Sequence, residues 1–137
     1  MAPRTPSPVV IRRRDQVDAL VSPLRQEIVD AVAAAGPSTI AQIAGWLGRR
    51  PDTLYYHIGA LAKVGLLIEA GRERAGRRFS AVYDVPGRPM LLDYGGAGGR
   101  DAVVRVVRAA LRLAERDFRR AIPVSYTHLT LPTNREV

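Results

Sequence analysis

The side chains best equipped for chemistry in this sequence are guanidinium groups and hydrogen-bonding aromatics, gathered in two short stretches. Arg49 and Arg50 stand immediately before Pro51, and Asp52, Thr53, Tyr55, Tyr56, His57 and Lys63 follow. Further along, Arg72, Arg74, Arg77 and Arg78 surround Gly76, with Glu73 as the opposing charge inside the cluster. A guanidinium offers planar, permanently charged donors that match phosphate oxygens, while hydroxyl and imidazole groups can exchange hydrogen bonds with base edges. These types support recognition of a polyanion rather than the making or breaking of bonds. The sequence contains no nucleophile elbow, no glutamate-bearing zinc motif and no convergent carboxylate pair, so no catalytic residue is assigned and enzymatic activity is not expected.

Cysteine is absent, which excludes disulfides, thiolate metal sites and iron–sulfur ligation in this stretch of chain. His57 has only His128 for company, too few ligands for a histidine metal site; no metal or cofactor is expected. The run Gly95-Gly96-Ala97-Gly98-Gly99 lacks the lysine-serine or lysine-threonine ending of a phosphate-cradling loop and is followed by acidic Asp101. It reads as linker.

The 137 residues carry twenty arginines and one lysine against 13 acids, a formal charge of +8. Each phosphate neutralised by such a residue releases condensed counterions, so the excess attracts nucleic acid whatever its sequence. Double-stranded DNA leads the partners on this ground, although a gene rich in arginine codons would give a similar surface. Charges interrupt the apolar runs every few residues, so none can span a bilayer. Pro3, Pro6 and Pro8 occupy the start in place of a secretory signal. A cytoplasmic protein without a membrane partner is expected.

The elements that must position these side chains can be read from caps and periodicity. After a disordered lead-in over residues 1–14, Asp15 to Leu20 reads as a short helix; Ser22 then caps a longer one that opens on Pro23. Leu24, Ile28, Val29 and Val32 share a face of that helix, and Gly36-Pro37 ends it. Thr39 and Gln42 form a capping box before Ile40, Ile43, Ala44 and Leu47, which lie on one buried stripe. Trp46 falls outside that stripe and is expected to pack on the N- or C-terminal helix. Gly48-Arg49-Arg50 is a tight turn, and Pro51 starts the next helix, carried by Leu54, Ile58, Leu61 and Ala62 to Gly65. Leu66 to Glu69 leaves as a strand, residues 72–77 form a basic loop, and Phe79, Ala81, Tyr83 and Val85 alternate as a returning strand. The fold class is mainly α with a small β-hairpin: a winged helix-turn-helix domain over 15–85, a Pro/Gly-rich linker over 86–100 and a C-terminal dimerisation helix over 101–122.

With Leu54 at the centre of the buried stripe and about 3.6 residues per turn, Asp52, Tyr56, Gly59 and Lys63 occupy the opposite face, flanked by Thr53, Tyr55 and His57. Thr53 and Tyr56 are the first candidates for base-edge contact in a major groove; Arg49 and Arg50 stand at the positive helix start, where a phosphate is favoured. His57 is open to two roles, donor to DNA or packed residue. Arg72, Arg74, Arg77 and Arg78 form a wing for backbone or minor groove. Val104, Val107, Leu111, Ala114, Phe118 and Ala121 alternate three and four apart, the seam of a coiled coil, with Arg105, Arg108, Arg112 and Arg116 kept off it. A homodimer through this seam is expected; the alternative is a helix lying on its own domain.

Three stretches, Leu20-Val21-Ser22-Pro23-Leu24-Arg25-Gln26-Glu27-Ile28-Val29, Ala41-Gln42-Ile43-Ala44 and Leu54-Tyr55-Tyr56-His57-Ile58, resemble the ArsR-like winged helix family, the likeness spanning Asp15 to Val85. The resemblance implies a dimeric transcriptional repressor or activator whose third helix enters the major groove and whose wing touches the backbone. Arg50 stands where the family has a capping serine or threonine, and the absence of cysteine sets the chain apart from thiolate metal sensors. The effector remains unassigned. Alternatives are a winged protein-interaction module and an effector-binding regulator whose ligand domain lies beyond the chain. Residues 123–137 hold the only asparagine and three of the six threonines, and resemble translated sequencing-adapter sequence; they are expected to be a non-native tail.

Overall fold

The structure, a computed structural model, describes residues 7–93 and 99–122; the tail beyond Ile122 and most of the glycine run lie outside it. The described helices are α1 (Arg14–Ala19), α2 (Pro23–Ala35), α3 (Ile40–Leu47), α4 (Pro51–Lys63) and α5 (Gly99–Ala121). The strands are β1 (Val9–Ile11), β2 (Ser38–Thr39), β3 (Ile68–Ala75), β4 (Arg78–Asp84) and β5 (Met90–Leu92). The starts of α2 and α3 follow their caps: Ser22 Oγ accepts from the Arg25 amide at 3.4 Å. The Thr39 hydroxyl and Gln42 side chain each accept from the other residue's amide, at 3.2 and 2.9 Å, satisfying donors that a helix start otherwise leaves orphaned. Gly48 ends α3 in the left-handed conformation, φ 64°, at little cost to a residue without Cβ.

Val17, Ile28, Val32, Ile43, Leu54, Ile58, Leu61, Leu66 and Leu67 are the fully buried apolar centre, drawn from α1, α2, α3, α4 and the segment leaving α4. Each contributes about 1.5–3 kcal/mol by leaving water. Beside it, β2, β4 and β3 form an antiparallel sheet in that order, with Ser38 opposite Tyr83 and Ile68 opposite Asp84. A register shift between Glu69 and Gly71 bends β3 as it leaves the core.

The wing differs from the expected loop over 72–77. Strand pairing continues to Ala75 opposite Arg78, closed by Gly76-Arg77 with Gly76 at φ 66°; a glycine at the first position of a two-residue hairpin turn permits this closure. Arg72, Arg74 and Arg78 therefore stand on strands. The sheet also has a strand that the hairpin reading lacks: β2 is two residues long and its Thr39 doubles as a helix cap.

The lead-in and linker need correction as well. Val9–Ile11 and Met90–Leu92, inside the segments expected to be irregular, pair as a parallel ribbon with Val9 opposite Met90 and Ile11 opposite Leu92. The Arg88 amide donates to the Ser7 carbonyl and the Asp93 amide to the Ile11 carbonyl, extending the ribbon at both ends. Ile11 is buried in the core, which supplies energy for ordering a strand preceded by prolines. The Arg88 guanidinium donates to the Val32 and Ala33 carbonyls of α2 and to Asp84, tying the connection after β4 to the last turn of that helix.

Helix α5 starts two residues before the expected Asp101 cap and uses two faces. Ala102, Val103, Val106 and Ala109 are buried, against a domain that includes α1 and α2. The predicted seam points elsewhere: Val104, Leu111 and Phe118 are 40%, 63% and 66% exposed, Ala114 is exposed, and Val107 is half-buried at the edge. Trp46 is 51% exposed, so the packing expected for it is not found.

A Cβ at Gly87 would collide with the Ser7 carbonyl oxygen and the Val9 side chain. Gly87→Ala is therefore expected to cost about 1–3 kcal/mol. Hydrogen exchange should accelerate at the β1 and β5 amides, while amides of α3 and α4 remain protected; unchanged exchange at Val9 to Ile11 would contradict this account.

Candidate nucleic-acid interface

Burial of Leu54, Ile58 and Leu61 fixes which side of α4 faces water. Tyr55 and Tyr56 are 61% and 73% exposed, and Asp52, Thr53, Gly59 and Lys63 are exposed with them. At the helix start the Arg50 side chain makes no cap; it pairs with Asp52 at 3.2 Å, so the Asp52 charge is partly compensated. Thr53 Oγ1 donates to the Arg50 carbonyl at 2.7 Å. Its hydroxyl proton is thereby committed, leaving Thr53 an acceptor toward any partner.

Arg25, on α2, organises the middle of this face. Its Nε donates to His57 Nδ1 at 3.2 Å, and its guanidinium carbon lies 5.8 Å from the Tyr56 ring centroid, within cation–π range. The Tyr56 and His57 rings meet edge to face, 5.6 Å apart at 77°. An imidazole accepting at Nδ1 carries its proton on Nε2 and is neutral. Burial, and next the nearby Arg25 and Arg49 charges, hold the His57 pKa below its ordinary 6.5. Of the two roles open to His57, the packed one is occupied through Nδ1, and Nε2–H is left as a donor.

Arg49 reaches back to Glu27, Nη2 to Oε1 at 4.0 Å, while remaining exposed. Glu27 also receives the two-pronged Arg116 guanidinium of α5, at 3.0 Å on each prong. A cleft of 790 Å³ lies between α1 and α4, with Asp15, Asp18, Arg25, Tyr55, Tyr56 and Lys63 among its walls. On the wing, Arg72 pairs with Glu69 at 3.8 Å and Arg74 Nε donates to the Gly76 carbonyl at 3.0 Å. The side chains of Arg77 and Arg78 have no ion pair among the described residues, and Phe79 is 64% exposed opposite Arg74.

The structure thus keeps the expected α4 residues on one exposed or half-exposed face and the four wing arginines on one hairpin. Sequence reasoning omitted Arg25 and Glu27 from the site. Both lie in the stretch that carried the family resemblance, off the apolar stripe of α2, and that was the available signal.

Two helices joined by a three-residue turn, the second exposing polar and aromatic groups, precede a basic hairpin. Residues 20–69 match a family model described as a helix-turn-helix domain. The chain carries a winged helix-turn-helix domain. The matched residues fall within the stretch in which the family resemblance was read from the sequence. No curated protein matches the chain. Among solved structures, it is similar to a transcriptional regulator homologue from Pyrococcus horikoshii OT3, at 18% identity over 76% of this chain and 89% of that one, TM-score 0.43. It is also similar to a homodimeric winged helix-turn-helix DNA-binding domain from Mycobacterium bovis, described as a possible ArsR-family transcriptional regulator, at 20% identity over 80% and 88%, TM-score 0.38. No described helix is long and apolar enough to cross a membrane.

His57 provides a check on this geometry. Because its folded pKa lies below the unfolded value, its contribution to stability is complete above pH 6.5 and is lost as pH falls through the lowered pKa. In an NMR titration the His57 ring should protonate below pH 6.5, and Arg25→Ala should move that midpoint upward by removing a nearby positive charge. A midpoint unmoved by Arg25→Ala would mean that the two side chains do not meet in solution.

Proposed function

We propose that this protein is a sequence-specific, duplex DNA-binding transcriptional regulator of the ArsR-like winged helix type, acting in the cytoplasm as a homodimer. One observation carries the reading: α4 buries an aliphatic stripe and leaves Thr53, Tyr55, Tyr56 and Lys63 outward, in a domain that also carries an arginine hairpin. In this reading α4 lies in the major groove. Thr53 accepts from a base amino group, and Tyr56, backed by Arg25, contacts a neighbouring base edge. Arg49 and Arg50 bind phosphate at the helix start, and Arg72, Arg74, Arg77 and Arg78 hold the backbone or minor groove.

The exposed face of α5 supports pairing. Val104, Leu111 and Phe118 are seven residues apart, with Val107 and Ala114 between them, so a second copy related by a two-fold axis can present the same stripe in return. Two such readers suit half-sites about one helical turn apart, near 34 Å.

If each subunit neutralises about four phosphates, the binding constant of the dimer falls with a slope of about −7 against the logarithm of salt concentration. Arg74→Ala with Arg77→Ala should reduce the slope to about −4, since four contacts per dimer are lost. Fluorescence anisotropy on duplexes at several salt concentrations measures both; an unchanged slope removes the wing from the interface, and no salt-dependent duplex binding by the parent removes the DNA reading altogether. Leu111→Glu, at an exposed position, should leave the helical signal intact and weaken the dimer more than about tenfold in sedimentation. Persistence of the parent dimer would show that α5 is not the seam.

A further inference from the structure

Away from the α4 face, a cavity of 160 Å³ opens where α2, α5 and the β1–β5 ribbon converge. Ile11, Val29, Leu92 and Val106 supply apolar wall, and the polar side chains lining it are those of Gln26 and Asp30. An apolar cavity on the order of 150 Å³ holds a benzene-sized molecule, so the volume fits a ligand of that size.

The polar groups narrow the chemistry. Gln26 is more than nine-tenths buried, and its amide nitrogen donates to the Leu20 carbonyl at 2.7 Å and to the Val106 carbonyl at 2.9 Å. With both amide protons spent on carbonyl oxygens, the flip of this side chain is fixed, and its Oε1 accepts no hydrogen bond among the described residues. A buried acceptor left in that state is unfavourable. Asp30 is a second acceptor. It is exposed on its outer side, and no cation pairs with it among the described residues. Partial desolvation and the neighbouring Glu27 raise its pKa, the behaviour of a carboxylate that lacks a counter-charge.

We infer that this cavity is a binding site for a small apolar amine, whose hydrocarbon body fills the aliphatic wall and whose ammonium group donates to Gln26 Oε1 and Asp30. Both polar side chains offer acceptors only, so alcohols bind more weakly and carboxylates are repelled. The wall includes Val106 of α5, so an occupant bears on the seat of the helix assigned to dimer contact. That consequence, unlike the site itself, rests on the function proposed above.

Binding to the full chain is measured by calorimetry and by NMR of the valine methyl groups, using benzylamine, toluene and benzoate as probes and no DNA, so the result is independent of the DNA reading. Benzylamine should bind on the order of millimolar and shift the Val29 and Val106 methyl signals; toluene should bind more weakly and benzoate not at all. Asp30→Asn, at an exposed position, should lower benzylamine affinity about tenfold and leave toluene affinity unchanged. Equal affinities for benzylamine and toluene, or benzylamine binding indifferent to Asp30→Asn, overturn the amine assignment. Val29 and Val106 signals unmoved by every probe overturn the site.

Discussion

Leu54, Ile58 and Leu61 are essentially inaccessible to water, and α4 cannot rotate about its axis without withdrawing at least one of them from the core. Withdrawing a residue of this size costs about 2–5 kcal/mol, a large part of what a small domain has. The outward direction of Thr53, Tyr55, Tyr56 and Lys63 follows from that constraint alone. Nothing on the exposed face needs to hold α4 in place, which leaves those side chains free to be selected for what they touch. The helix start is correspondingly plain: Arg50 does not cap it, and the positive end of α4 remains open to an anion.

A second constraint comes from α2, where three consecutive residues fan out to different elements. Arg25 fixes His57 and backs Tyr56, Gln26 binds the backbone of α5 at Val106, and Glu27 joins Arg116 of α5 to Arg49 beside α4. Successive residues on a helix point about 100° apart, so one turn of α2 reaches the reading face, the buried face of α5 and the turn before α4. Glu27 is largely shielded from solvent, and its charge is tolerated there because the Arg116 fork satisfies both carboxylate oxygens.

How much of this was legible in the sequence depended on whether the cause was local. Ser22, the Thr39–Gln42 pair, Gly48 and the stripe of Leu54, Ile58 and Leu61 each announce an element within a few residues, and the elements stand where these signals put them. Val9–Ile11 and Met90–Leu92 have no such signal. Each is three residues long, too short for a period, and its partner lies about eighty residues away, with the whole domain between. Pro3, Pro6 and Pro8 ahead of the first strand make it resemble a disordered lead-in until burial of Ile11 is counted. The same distinction separates Tyr56 from Arg25. The first follows from its place on α4, whereas Arg25 acquires its role from residues 31 and 32 positions away in the chain.

Helix α5 joins these constraints. Its buried face is made of alanine and valine, so it approaches α1 and α2 closely, while Leu111 and Phe118 are left outside. Gln26 holds it at Val106 and Glu27 holds it at Arg116. Those points are ten residues apart, about 15 Å along the axis at 1.5 Å per residue. One anchor would leave the helix free to swing; two at this spacing fix its axial position and its rotation. The direction of the exposed stripe relative to α4 is then a property of the monomer. In the proposed pair, the separation of the two α4 helices follows from that angle and a two-fold axis through the stripe, so half-site spacing is set inside each subunit before DNA is met. Both anchors arise from neighbouring residues of α2, and the cavity lined by Gln26 and Val106 lies against the first of them.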